Sequence, residues 1–76
     1  MTGAVTVHLL GGVAGVLPPD GRLPLAPGDT VAAVTARCGV DPTACGTVLV
    51  NGHAAQSDTR LSPGDTVLFI APVSGG

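Results

Sequence analysis

The chain is 76 residues long and 45% apolar, with Phe69 as its one aromatic residue and a net charge of −2. All five acids are Asp and all three bases are Arg, so no basic cluster is present to neutralise phosphates, and nucleic acid is excluded as a partner. The length supports one small domain near the lower limit of unaided folding, with a core of Val, Leu, Ile and Ala.

Met1 to Pro19 carries no charged side chain, which raises the question of a signal peptide. It has no basic leading region, and glycines, prolines and His8 interrupt it. It is also too broken to span a membrane. A soluble, cytoplasmic protein with no membrane contact is expected. Within this run, Ala4 to Leu10 alternates as a half-buried strand. Val5, Val7 and Leu9 share one face; Thr6, His8 and Leu10 share the other. After Gly11-Gly12 and a long loop, a second strand is predicted over Arg22 to Ala26. Pro24 cannot donate to a ladder and marks it as an edge strand of an antiparallel hairpin.

A short helix is predicted next. Asp29 or Thr30 suits its N-cap, Val31, Val34, Thr35 and Cys38 fall on one stripe, and Gly39 sits where a C-terminal glycine belongs. Arg37 in the last turn complements the helix dipole. Val40 to Cys45 connects to a third strand, Thr47 to Val50. Asn51-Gly52 is a strong hairpin signal, with a short return strand near His53 to Ala55. Thr59 to Pro63 reads as a turn or 3₁₀ segment with Leu61 as an apolar plug, and Gly64-Asp65 starts the last strand. Pro-Gly-Asp-Thr-Val occurs at 27–31 and again at 63–67. One repeated pentapeptide signifies reused turn chemistry, not a repeat architecture.

The last strand organises the rest. Val67 to Ala71 is five apolar residues in a row, expected to be buried on most of both faces, and Pro72 ends its pairing. Beyond it Val73-Ser74-Gly75-Gly76 has nothing to tie it down. Two terminal glycines arise by chance about one time in forty at this composition. A thin tail ending in a carboxylate is suited to threading into a narrow active site on another protein, where a Cβ would clash. The domain is therefore expected over residues 1–71 and the tail over 72–76. Two hairpins flanking one helix suit a mixed sheet, with the last strand central and parallel to the first. That is an α+β fold, a β-grasp of about five strands covered on one face by a single helix.

Val50-Asn51-Gly52, Leu61-Ser62-Pro63-Gly64-Asp65-Thr66-Val67 and the close Phe69-Ile70-Ala71-Pro72-Val73-Ser74-Gly75-Gly76 carry a resemblance. With Gly28-Asp29-Thr30-Val31 they resemble the ubiquitin-like sulfur carrier family, which includes the molybdopterin synthase small subunit and the thiamin sulfur carrier. The resemblance implies that the Gly76 carboxylate is adenylated by an activating enzyme that uses ATP. Sulfur from a persulfide donor then replaces AMP and leaves a thiocarboxylate. It implies a carrier that is not itself an enzyme, with no bound cofactor or metal. Its partners would be an adenylyltransferase similar to ubiquitin-activating enzymes, a sulfurtransferase and an acceptor synthase subunit. Molybdopterin synthesis is the first destination considered. Ala71-Pro72 after Phe69-Ile70 departs from the paired prolines and aromatics of that subgroup, and thiamin, cysteine or natural-product pathways use similar tails. A modifier joined through Gly76 to lysines, or a plain interaction module, are the other readings. The chain has no Lys, so it could not accept such a bond through a side chain.

Strand parity puts Leu10, Leu68 and Ile70 on the uncovered face as a docking patch, continued by Pro72, Val73 and Ser74, with Gly75 giving the tail room. His8 and His53 read as ordinary exposed polar residues, and Asp65 as a turn former. Cys38 and Cys45 lie outside any zinc spacing and read as small apolar fillers.

Overall fold

In a computed structural model, which describes residues 3–41 and 45–72, the elements are β1 (Gly3–Leu10), β2 (Arg22–Leu25), α1 (Val31–Arg37), β3 (Thr47–Val50), β4 (His53–Ala54) and β5 (Thr66–Ile70). They form one mixed sheet in the order β2-β1-β5-β3-β4. β1 and β5 run parallel in the middle, and every other neighbouring pair is antiparallel. This is the expected β-grasp, with β5 central and Pro24 on an edge strand.

One face of the sheet makes the core. Val5, Val7, Val67 and Phe69 are at most 1% exposed, and α1 lays Val31, Val34 and Cys38 over them. Leu61 plugs the same core from the segment before β5. Thr35 shares the helix stripe because its hydroxyl donates to the Val31 carbonyl at 2.8 Å, leaving no bare polar group inside. The helix stops as its sequence requires. Gly39 takes φ 66°, its N–H donates to the Ala36 carbonyl, and the Val40 N–H donates to the Thr35 carbonyl. Those two bonds make a Schellman cap, completed by burial of Val40.

Several expectations need correction. β5 does not bury both faces: Val67 and Phe69 are buried, while Leu68 and Ile70 are part-exposed, because the one helix covers one side only. It ends at Ile70, although the Ala71 N–H still donates to the Leu10 carbonyl. It also begins at Thr66, since the Asp65 N–H is taken by the Ser62 carbonyl in a turn. β2 stops at Leu25 because the Ala26 N–H turns away to the Asp29 carboxylate, and β4 stops at Ala54. Thr30 is the N-cap residue, yet its side chain makes no capping bond. Arg37 does stand in the last turn of the helix as expected, and its Nη1 also reaches Asp29 Oδ2 at 2.6 Å and the Pro24 carbonyl at 3.2 Å.

The repeated pentapeptide proves to be one turn used twice. In Ala26-Pro27-Gly28-Asp29 and Ser62-Pro63-Gly64-Asp65 the Asp N–H donates to the first carbonyl at 3.1 Å. The Asp Oδ2 in return accepts the first residue's N–H at 2.8 Å. Pro pre-sets the second position and Gly the third, at φ 80° and 89°, as a type II turn demands. The two turns stand side by side, joined by the Leu61 N–H to Asp29 carbonyl bond and the Thr30–Arg60 bridge.

Candidate functional site

The face of the sheet away from the helix has a readable register. Leu10, Ile70 and Thr47 form one row across β1, β5 and β3; His8, Leu68, Leu49 and Ala54 form the next; Thr6 and Thr66 follow. Leu10 is 44% exposed, and Leu68, Ile70 and Leu49 are part-exposed. Apolar side chains therefore concentrate toward the end of the sheet where β1 and β5 finish. The three residues chosen by strand parity, Leu10, Leu68 and Ile70, are neighbours there. Leu49 belongs with them, and parity along its own strand was the signal that could have found it. His8 is exposed beside Leu68, and His53 is exposed on the edge strand β4.

The last described stretch of chain leaves from the same end. Ala71 is tied to β1 by its N–H to the Leu10 carbonyl at 3.1 Å. On the other flank the Gly46 N–H donates to the Ile70 carbonyl at 2.9 Å. Pro72 has no N–H, so no ladder bond follows, and it is exposed. Val73, Ser74, Gly75 and Gly76 lie outside the described residues, and the tail predicted over 72–76 is met only at its root. Those four residues reach at most about 14 Å from Pro72 when extended.

Cys45 sits under this root, with its Sγ 3.3 Å from the Thr47 carbonyl and 3.7 Å from that of Ile70. It also lines a cleft of about 180 Å³ between α1 and β3, with Val31, Thr35, Val48, Ser57 and Phe69. Cys38 is fully buried, and burial pushes its thiol up from the ordinary range. The two thiols are both free. Among the described residues no three His, Cys, Asp or Glu side chains gather as a metal site. No helix among them is long and apolar enough to cross a membrane.

The family model described as "ThiS family" matches residues 21–76, which takes in β2, the helix, β3 to β5 and the tail but not β1. Among solved structures, Caldiarchaeum subterraneum ubiquitin superposes with a TM-score of 0.62 at 22% identity, over 100% of both chains. At that identity the likeness concerns the fold alone, and the fold is ubiquitin-like. No curated protein matches the chain.

Proposed function

This chain belongs to the ThiS family of ubiquitin-like sulfur carriers, and on that premise we propose that Gly76 carries sulfur as a thiocarboxylate for biosynthesis. The observation that carries the reading is the coincidence of two features at one end of the sheet. The root of the tail, Ala71-Pro72, leaves beside the apolar face made by Leu10, Leu68, Leu49 and Ile70. A partner gripping that face holds the origin of the tail within about 14 Å of the terminal carboxylate, and this fixes where its active site must lie.

The chemistry then belongs to partners. A carboxylate is a poor acyl donor, so an adenylating enzyme spends ATP to form the acyl-adenylate and release pyrophosphate. The terminal sulfur of a persulfide donor attacks the acyl carbon and expels AMP. Cleavage of the resulting acyl disulfide by a second donor thiol leaves the thiocarboxylate on Gly76 and a disulfide on the donor. Gly75 lets the tail pass where a side chain would clash. Leu10, Leu68, Ile70, Pro72, Val73 and Ser74 make the docking contact. The chain is a co-substrate in the cytoplasm, and the synthase subunit that accepts the sulfur is taken to be that of molybdopterin synthesis, with this chain as the small subunit.

The test is an intact mass after incubation with ATP, a sulfur source and host extract. A gain of about 16 Da on the C-terminal peptide, one oxygen exchanged for sulfur, is the expected result. An isopeptide bond from Gly76 to target lysines would make the chain a modifier instead. No change, while a competent carrier is converted in the same extract, would leave an interaction module. Supplying the ³⁵S-labelled carrier to candidate acceptor subunits separates molybdopterin from thiamin or other destinations.

A further inference from the structure

Two glycines flank the root of the tail. A Cβ on Gly46 would lie 2.6 Å from Pro72 Cα, 2.8 Å from its nitrogen and 2.9 Å from its Cβ, closer than real side chains come. A Cβ on Gly11, across the root, would lie 3.3 Å from Ala71 Cβ and 3.5 Å from Ala71 nitrogen. Gly46 is not among the glycines at positive φ, so backbone freedom does not explain it; the closeness of Pro72 does. The same two segments hold the root by hydrogen bonds, since Leu10, next to Gly11, accepts from Ala71, and Gly46 donates to Ile70.

We propose that Gly11 and Gly46 form a two-sided guide that sets the line on which the chain leaves the domain after Pro72, with Gly46 a positioning residue for the terminal carboxylate. This rests on the carrier reading above. Shifting Pro72 by about 0.5–1 Å over the 3.8 Å between neighbouring Cα atoms turns the exit line by roughly 10°. At the end of an extended tail threaded through a slot, that becomes a displacement of about 2 Å, and misplacement on this scale costs up to about a hundredfold in rate. The sheet part of the docking face, Leu10, Leu49, Leu68 and Ile70, is not among the atoms that either Cβ meets. A guide therefore acts on turnover and leaves capture alone.

The experiment is ATP–pyrophosphate exchange by the host's adenylating enzyme, the protein that exchanges pyrophosphate into ATP only when this chain is added. Wild type is compared with Gly46→Ala, Gly11→Ala and Gly12→Ala, each checked for folding by thermal melts and amide NMR spectra. Gly11 and Gly12 both lie at positive φ, 71° and 88°, so both substitutions carry backbone strain, but a Cβ on Gly12 meets nothing within 4 Å. We expect Gly46→Ala to lower kcat about tenfold or more with KM within about twofold, and Gly11→Ala to fall below Gly12→Ala. A folded Gly46→Ala with wild-type kcat overturns the guide. Should Gly46→Ala fail to fold, equal kcat values for the Gly11 and Gly12 variants overturn it. Absence of exchange with wild type overturns the carrier reading instead.

Discussion

Asn51 and Asp65 are joined by a 2.8 Å hydrogen bond from Nδ2 to Oδ1, and this bond ties the β3–β4 hairpin to the turn that launches β5. The Asn51 Oδ1 accepts the Thr66 N–H at 2.9 Å, and the Asn51 N–H donates to the Thr66 carbonyl. Asn51 also sits at φ 54°, a conformation few non-glycine residues tolerate. One side chain thus serves a turn, a strand start and a link between them.

Asn51→Ala removes both side-chain bonds and adds strain, and about 1–2 kcal/mol of stability should be lost. Asn51→Gly relieves the strain but not the bonds, and should lose roughly half as much. Chemical denaturation of the three proteins decides this; equal stability of Asn51→Ala and wild type would refute the linking role.

Leu10 is exposed and stands beside the tail root, so its substitution separates docking from folding. Leu10→Ser should change stability by no more than about 0.5 kcal/mol, as is usual at exposed positions. Affinity for the adenylating enzyme should drop about tenfold or more, the effect of losing an apolar anchor from an interface. Calorimetric titration with that enzyme measures it. Unchanged affinity would move the docking contact off this face.

The Arg37 guanidinium beside Asp29, with the Ala26 N–H, holds the Asp29 carboxyl below the usual carboxylate range. A depressed value means that the folded protein binds the proton less readily than the unfolded chain does. The stabilisation is therefore complete above the ordinary Asp value, about pH 4, and is lost as pH falls through the folded value. The stability gap between wild type and Asp29→Asn should be flat above about pH 5 and close progressively below about pH 4. A gap that persists at low pH would show the contribution to be packing, not charge.

The two thiols should differ in reactivity. Cys38 is fully buried and its thiol is raised by desolvation, so alkylation of the native protein should wait for unfolding. Cys45 is only part-buried and should react first. Peptide mapping after timed iodoacetamide treatment gives the order, and early labelling of Cys38 would contradict its buried place.

Much of this architecture was legible along the chain, because its signals are local. Alternation in β1, the Val31–Val34–Thr35–Cys38 stripe, Gly39, Asn51-Gly52 and Pro24 each follow from the geometry of a single element, and together they force a central last strand. The boundary errors at Ala26 and Asp65 arose where a side chain or turn took a backbone group that a ladder would have used, whereas the Ala55 N–H still donates to the Val48 carbonyl across the hairpin. Leu49 was missed for another reason: parity was followed along β1 and β5 and not along β3, where it places Leu49 in the row of Leu68.

Element order and turn chemistry were therefore enough to indicate a β-grasp, since both act over a few residues, and the resemblance carried by Val50-Asn51-Gly52, Leu61 to Val67 and Phe69 to Gly76 pointed to the family. The tertiary structure alone decided which glycines matter to the tail. Gly11 and Gly46 are far apart in sequence, and only the parallel pairing of β1 with β5 and the antiparallel return of β3 bring them to opposite sides of Ala71-Pro72. It also decided that Arg37, while in the last turn of its helix, pairs with Asp29 and the Pro24 carbonyl, because a long side chain takes the nearest acceptor in space, not in sequence.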